Sequence, residues 1–192
     1  MMSARIILAS ASPRRSELLD QIGIRYLIHP VEIDESPRLN ESPLVYVERV
    51  AAEKSAVCCE QLGVDIPVLA ADTAVVLNGK IMGKPRDFEH GQAMLEALSG
   101  TTHQVYSAVS LRGRQHDQAV NITEVSFRKL TAAEIEAYWL TGEPIDKAGA
   151  YAIQGYAGVF VRSITGSFSG VVGLPLYETA LLLEKQGIRT IA

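Results

Sequence analysis

The sequence predicts a fold of the α/β or α+β class. Short apolar runs typical of strands alternate with amphipathic segments typical of helices along nearly the whole chain. Hydrophobic residues make up 47% and charged residues 21% of the 192 residues, the balance of an ordinary soluble globular protein. We find no repeat, low-complexity segment or flexible linker that would divide this length. We therefore predict a single domain over residues 1–192.

The first elements are a strand and a helix joined by a short turn. Ile6–Ala9 is a buried strand by its apolar composition, and Ser12 and Pro13 are typical of the N-cap and first position of a helix. Gly23 is a natural end for that helix. A second Ser-Pro pair at 42–43 predicts another helix, which ends near Gly63.

The middle of the chain predicts a long strand that enters a hairpin. Val68–Leu77 is apolar except for Asp72 and Thr73, and Asn78-Gly79 is the clearest hairpin turn signal in the chain. The hairpin is expected to bring Lys84 back towards Asp72.

The second half continues the alternation of strands and helices. Asp87 caps one helix, Thr131 and Glu134 form a capping box for another, and Pro175 opens a last helix that ends near Gly187. The predicted strands of this half, of which the last two are paired, are Val105–Leu111, Ala119–Phe127, Tyr151–Ile153 and Val159–Ile164.

Charge and cysteine content predict a cytoplasmic protein. The net charge of −4 provides no global basic field for nucleic acid, so an acidic substrate needs a local cluster of cations. Cys58 and Cys59 are adjacent and cannot form an ordinary disulfide. The first residues carry too short an apolar run for a signal peptide, and no stretch is long enough to span a membrane. We predict neither a nucleic-acid partner nor a membrane partner.

The segment from Ser10 to Arg15 has the features of a phosphate site. A strand ends and a helix begins there, so free backbone N–H groups and the positive end of the helix dipole point to one place. Ser10, Ser12, Arg14 and Arg15 add two hydroxyls and two guanidiniums, and guanidinium matches phosphate oxygens in a bidentate fork. The alternative is a capped surface helix with solvated arginines.

Asp72 is the second candidate, because a carboxylate in an apolar strand is costly unless it is paired or bound to metal. Beside a phosphate site, it suggests a metal ligand or a general base. The alternative is a structural carboxylate satisfied by backbone donors.

Four further polar residues carry weaker signals. Lys54 lies on the apolar stripe of the second helix, where a lysine either extends to solvent or meets an anion. Lys84 and Glu35, taken singly, are typical of surface charges. Gln154 offers a donor and an acceptor that suit the edge of a base, and a plain structural hydrogen bond is the alternative.

Other catalytic templates are absent from the sequence. There is no P-loop, no G-x-G-x-x-G and no G-x-S-x-G, and the four histidines lack zinc spacing with one another or with the cysteines.

Six sequence blocks carry a resemblance to a known family. In chain order they are Leu8-Ala9-Ser10-x-Ser12-Pro13-Arg14-Arg15-x-Glu17-Leu18-Leu19, Ala71-Asp72-Thr73, Gly83-Lys84-Pro85, Leu98-Ser99-Gly100-x-x-His103-x-Val105, Lys147-Ala148-Gly149-x-Tyr151-x-Ile153-Gln154-Gly155 and Val171-Val172-Gly173-Leu174-Pro175-Leu176. With these blocks in this order, the chain resembles the Maf, or septum-formation-inhibitor-like, nucleotide pyrophosphatases over nearly its whole length.

The resemblance implies an α/β fold with a mixed sheet, flanking helices and a deep cleft between two lobes, similar to inosine triphosphate pyrophosphatases, and a homodimer. It implies hydrolysis of a nucleoside triphosphate between the α- and β-phosphates with Mg²⁺ or Mn²⁺. The implied phosphate-binding residues are Ser10, Arg14 and Arg15. The implied catalytic residues are Glu35, Lys54, Asp72 and Lys84, with Asp72 as proton acceptor and with Glu35 and Asp72 as metal ligands.

Within the family, Arg14, Thr73 and the block containing Gln154 resemble the subgroup that hydrolyses dTTP and UTP, so Thr73 and Gln154 are expected to contact the base. Gly170 and the pair Tyr106-Ser107 depart from the family pattern and are expected to tune the rim of the site. Two alternatives remain: a pyrophosphatase for modified purine nucleotides, and a non-catalytic nucleotide-binding regulator of division.

Overall fold

The computed structural model describes residues 5–63 and 65–190 and confirms the α/β class. Its strands are β1 (Ile6–Leu8), β2 (Tyr26–Ile28), β3 (Val68–Leu77), β4 (Lys80–Met82), β5 (Thr102–Arg112), β6 (His116–Phe127) and β7 (Val161–Thr165). Its helices are α1 (Pro13–Gln21), α2 (Pro43–Leu62), α3 (Phe88–Leu98), α4 (Ala132–Leu140), α5 (Phe168–Val172) and α6 (Leu176–Lys185). Two 3₁₀ turns, Ala148–Ala150 and Tyr156–Phe160, precede β7. No helix within these ranges is long and apolar enough to cross a membrane.

The strands form one mixed sheet in the order β2-β1-β3-β5-β6-β7, with β4 also paired to β3. β1 runs parallel to β2 and β3, and the other pairs are antiparallel. One edge of β3 is paired with β5 from Val68 to Val76. On the other edge, β1 pairs with Val68 and Leu69, and β4 pairs only from Val75 onward. Among the described residues, the edge from 70 to 74 therefore has no strand partner.

Two hydrophobic cores lie along the same face of the long strands, one on each side of this unpaired stretch. The first packs strand residues against α1 and α6, and includes Leu18, Leu19, Leu69, Ala71, Val109, Leu111, Leu182 and Leu183. The second packs strand residues against α3 and α4, and includes Val75, Leu95, Leu98, Val105, Val125, Phe127, Ile135 and Tyr138. The two cores correspond to the two predicted lobes.

A row of polar residues separates the two cores. Thr73 on β3 pairs in register with Ser107 on β5, which pairs with Asn121 on β6. Side chains alternate between faces along a strand, so these three lie on the core face, between the apolar positions of the first lobe and those of the second. The Ser107 hydroxyl donates to the Gly170 carbonyl at 2.6 Å, which holds α5 against the row.

Helix α2 covers the opposite face of the sheet. Its residues Val47 and Ala51 pack on Ala74, Val76 and other small side chains of the sheet. Residues 47, 51, 54 and 58 recur every three or four positions and are all buried, which is the stripe that predicts an amphipathic helix. Lys54 therefore faces the sheet at the level of β3.

Most helix boundaries agree with the signals in the sequence. The Ser42 hydroxyl accepts a hydrogen bond from the Val45 amide at the start of α2, and Gly63 ends the helix with a φ of +57°. Thr131 and Glu134 form the predicted capping box. Ser12 occupies the N-cap of α1 and Pro13 its first position, as predicted, although the Ser12 side chain makes no capping hydrogen bond.

The predicted strand Tyr151–Ile153 is also wrong. These residues form a turn between the two 3₁₀ segments, and β7 pairs with β6 from Val161 to Thr165. The apolar run is explained by packing, since Tyr151 is buried in the second core and bonds to His103 at 2.9 Å. The sequence analysis did not predict β2 or α5, both of which are short.

Candidate active site

A cleft of about 860 Å³ opens at the unpaired edge of β3 and lies between the two cores. It brings together every residue predicted for the site. The predicted residues that line it are Ser10, Arg14, Arg15, Glu35, Lys54, Asp72, Thr73, Lys84 and Gln154. Their positions follow from the fold, because β1 ends there, α1 begins there and the β3–β4 hairpin returns there.

Lys54 links the two predicted catalytic carboxylates. Its Nζ lies 3.0 Å from Oδ1 of Asp72 and 2.9 Å from Oε1 of Glu35. Lys54 and Asp72 are 8% and 5% exposed, whereas the Glu35 side chain is 47% exposed. Of the two alternatives for Lys54, the structure therefore shows the one in which it meets anions.

Asp72 has one oxygen that is not used inside the protein. Oδ2 is buried and has no hydrogen-bond partner among residues 5–63 and 65–190. A buried carboxylate oxygen without a partner is costly, and a ligand or a metal ion in the cleft would relieve this cost. Oδ2 is thus the atom of Asp72 that is free for chemistry.

The carboxylates of Asp72 and Glu35 fit a hard divalent cation. Oxygen ligands suit Mg²⁺ and Mn²⁺, and Mg²⁺ commonly takes one or two protein carboxylates while substrate phosphates and waters complete its shell. The described part of the chain contains no cluster of three or more His, Cys, Asp or Glu residues able to hold a metal. Asp72 and Glu35 could therefore supply at most part of the coordination shell of such a cation.

Arg15 joins the start of α1 to the α5–α6 turn. Its Nε donates to the Gly173 carbonyl at 2.9 Å, and its Nη1 donates to Oγ of Ser10 at 3.1 Å. Burial lowers the pKa of Arg15, and the charge of Asp72 opposes this effect. Because Ser10 Oγ accepts from Arg15 and from the Ser12 amide, its own O–H remains free to donate to a ligand.

Thr73 and Gln154, the two predicted base contacts, differ in their environments. Ser107 donates its proton to Gly170, so the Thr73 hydroxyl donates to Ser107 at 2.9 Å and keeps acceptor capacity towards the cleft. Gln154 is exposed, and its amide has no partner in the described residues. Ser107 is fully buried and donates a hydrogen bond to the carbonyl of Gly170, which is buried as well. The expectation that Ser107 and Gly170 lie at the rim of the site is therefore wrong.

Arg49 holds the loop that carries Glu35. Its guanidinium donates to both carboxylate oxygens of Glu41, at 2.6 and 2.8 Å, and to the Ser36 carbonyl at 3.1 Å. The hydrogen bond from Arg49 lowers the pKa of Glu41 to about 2. The segment between β2 and α2 has no regular structure, so these contacts fix the backbone next to Glu35.

Sequence reasoning did not assign a role to Lys147, which also lines the cleft. It follows the turn after α4 and stands in the block that contains Gly149 and Gln154. In the sequence, Lys147 next to Asp146 is typical of a pair of surface charges. Its place in the cleft is therefore visible only in the folded structure.

The fold and the site define a class of protein with a nucleotide-sized cleft, suited to a phosphorylated substrate. Solved structures share the fold. A Ham1 protein from Coxiella burnetii matches with a TM-score of 0.57 and 16% identity, over 95% of this chain and 100% of that one. The Staphylococcus aureus Ham1 protein matches with a TM-score of 0.52 and 15% identity, over 94% and 96%.

Sequence comparison identifies the family. The model of the Maf-like protein family matches residues 5–186, and the chain belongs to that family. The dTTP/UTP pyrophosphatase of Methylococcus capsulatus is 54% identical over 187 residues, covering 97% of this chain and 93% of its own. The dTTP/UTP pyrophosphatase of Nitrosomonas europaea is 52% identical, with 95% of each chain covered.

The contacts of Arg15 predict different roles for the two arginines. Arg15→Ala should lower the free energy of unfolding by about 1–3 kcal/mol, because the Gly173 carbonyl loses a charged donor. Arg14, which has no such partner among the described residues, should give a change within about 0.5 kcal/mol on Arg14→Ala. Urea unfolding of both variants measures the difference. Equal stabilities would contradict a structural role for Arg15.

The Glu41–Arg49 contact predicts a pH-dependent part of the stability. The pKa of Glu41 is lower in the folded state than its ordinary value of 4.5, so the contact contributes fully above pH 4.5 and is lost as the pH falls towards 2. Glu41→Gln removes this titration, so unfolding free energies measured between pH 5 and pH 3 should fall less in the variant than in the wild type. Parallel pH profiles would show that the contact does not stabilise the fold.

Proposed function

We propose that this protein hydrolyses dTTP and UTP to the nucleoside monophosphate and pyrophosphate. The observation that carries the proposal is the buried Asp72–Lys54 pair, joined by the exposed Glu35, in a cleft that is also lined by arginines and lysines. The family membership and the relatives that are more than half identical over nearly their whole length support the same reaction. A non-catalytic regulator would have no need for a buried carboxylate with a free oxygen.

The triphosphate binds where α1 begins. The positive end of the α1 dipole, the Ser10 hydroxyl and Arg14 converge on that point, and a helix N-terminus favours an anion. Lys84 approaches the same space from the end of the β3–β4 hairpin. Holding the phosphates in one orientation prepares the α–β anhydride bond for in-line attack.

Asp72 accepts the proton of the attacking water at Oδ2. The water oxygen forms a bond to phosphorus, the α–β anhydride bond breaks, and the leaving oxygen departs with its electron pair as part of pyrophosphate. Lys54 forms an ion pair with both Asp72 and Glu35 and fixes the position of both carboxylates. Mg²⁺ or Mn²⁺ held by Glu35 and Asp72 would supply charge stabilisation at the phosphoryl oxygens.

The base is read by Gln154, with Thr73 as a further acceptor. Uracil and thymine present an acceptor beside a donor on their pairing edge, which the unpaired amide of Gln154 can match. A guanine edge carries a different pattern on a larger ring system and would leave that amide unpaired.

We also propose that the protein works as a homodimer in the cytoplasm, as its resemblance to the family implies. Apolar side chains exposed on the surface, such as Leu27 and Ile28 of edge strand β2, provide area for a second copy. Both cysteines are free thiols, in agreement with a reducing compartment. Light scattering of the purified chain at micromolar concentration tests the dimer.

Asp72→Asn should fold normally and lose hydrolysis by roughly 100-fold or more, because an amide neither accepts the proton nor binds a metal as well. Pyrophosphate release from dTTP and the melting temperature should be measured together. Asp117→Asn makes the same chemical change at a surface carboxylate paired with Lys185, and it should keep its activity. A folded Asp72→Asn protein with normal turnover would rule out Asp72 as proton acceptor.

A substrate panel tests the proposed specificity. UTP and dTTP should be hydrolysed well, and GTP and 7-methyl-GTP poorly. Each hydrogen-bond partner that is lost should cost roughly 1–3 kcal/mol of binding free energy. Gln154→Ala should reduce this preference, whereas Gln92→Ala, on the surface of α3, should not. If 7-methyl-GTP is the best substrate, the subgroup is wrong. If Gln154→Ala leaves the ranking unchanged, Gln154 does not read the base.

A further inference from the structure

The backbone places Lys147 beside Lys84. The Gly149 amide donates to the Gly83 carbonyl at 3.0 Å, so the two chain segments touch within two residues of each lysine. Gly149 has a φ of +66°, and a Cβ there would lie 2.9 Å from Cγ1 of Val75. Only glycine allows this close approach, and it holds the segment with Lys147 against the wall that carries Lys84.

Arg14, Lys84 and Lys147 all line the cleft, although they come from three separate parts of the chain. None of them forms a salt bridge with a carboxylate in residues 5–63 and 65–190. Lys147 donates only to the Ile145 carbonyl, at 3.3 Å. Burial lowers the pKa of Lys147, and the charges of Arg14 and Lys84 lower it further, while Asp146 and Glu143 oppose the change.

Three cations that line one cleft without a salt bridge to a carboxylate favour an anion between them. The other side of the cleft is closer to neutral, because Lys54 and Arg15 face the two carboxylates Asp72 and Glu35. The cleft is therefore polarised, with its net positive charge near Lys147, where Asp146 offsets only one of the three cations. A ligand that spans it must be most strongly anionic at the Lys147 end.

We propose that Lys147 completes, with Arg14 and Lys84, a subsite that holds the terminal two phosphates of the substrate and the pyrophosphate product. This inference rests on the proposed function and names the residues that recognise the leaving group. Two lysines and one arginine from both lobes hold the β- and γ-phosphates together as one unit. The bond that faces Asp72 is then the one between the α- and β-phosphates. The subsite explains preference for triphosphates over diphosphates, and it predicts that pyrophosphate binds to the free enzyme.

Calorimetric binding of two product molecules tests the subsite. Inorganic pyrophosphate and dTMP should be titrated separately into the wild type and into Lys147→Met. Loss of one charged contact should weaken pyrophosphate binding by about 10- to 100-fold and leave dTMP binding within about threefold. Lys147→Arg should restore most of the pyrophosphate affinity, because guanidinium also binds phosphate. Lys80→Met, an exposed lysine at the start of β4 outside the cleft, is the matched control and should bind both products normally.

Two results would overturn the subsite: unchanged pyrophosphate affinity in Lys147→Met, or an equal loss for pyrophosphate and dTMP. If Lys147→Met does not fold, as judged by its melting curve, Lys147→Gln is measured under the same criteria. The proposed function fails separately, when the wild type releases no pyrophosphate from dTTP or UTP. If the wild type hydrolyses dTTP or UTP and Lys147→Met still binds pyrophosphate normally, only the inference about Lys147 is refuted, and the proposed function stands.

Discussion

The structure depends on one interruption in strand pairing. β3 is long enough to serve both lobes, yet its free edge is paired by β1 at one end and by β4 at the other, with no strand between them. β1 stops because the chain turns into α1, and the turn brings Ser10 and Arg14 to the gap. β4 ends at Met82, so it pairs with β3 only from Val75 to Leu77 and does not reach the gap. The same gap therefore separates the lobes, forms the cleft and leaves Asp72 accessible to a ligand.

Taken alone, the buried charges at the centre of the site destabilise the folded state. Removing Lys54 and Asp72 from water costs several kcal/mol per ion, and their attraction offsets this only with good geometry and further hydrogen bonds. Here Oδ1 of Asp72 is satisfied and Oδ2 is not. Asp72 faces α2, so the remaining cost is offset by the apolar clusters on that face, which include Ala70 on one side of Asp72 and Ala74 on the other. A hydrogen-bond donor or a cation in the cleft would satisfy the second oxygen.

Much of the fold and of the candidate site could be predicted from the sequence wherever interactions between neighbouring residues determine the structure. Helix caps and the hairpin depend on a few adjacent residues, and the polar interruptions of apolar patterns at Asp72 and Lys54 mark two residues that the fold brings to the cleft. The misplaced strand at Tyr151–Ile153 shows the limit, because an apolar run does not reveal whether strand pairing or packing buries it. The contact from Arg15 to Gly173 and the position of Lys147 depend on residues far apart in sequence. Neither has a local signal.

The distribution of charge determines how a substrate can lie in the cleft. A net charge of −4 repels a polyphosphate at long range, so the local cations must outweigh the field of the whole molecule. They can do so because the cleft excludes part of the solvent, and charges interact more strongly there than at the surface. The excess of cations near Lys147 favours the orientation that places the most anionic end of a triphosphate there. The polar row from Thr73 to Asn121 supports this arrangement, since Ser107 donates to the Gly170 carbonyl in α5, close to the turn whose Gly173 carbonyl accepts a hydrogen bond from Arg15.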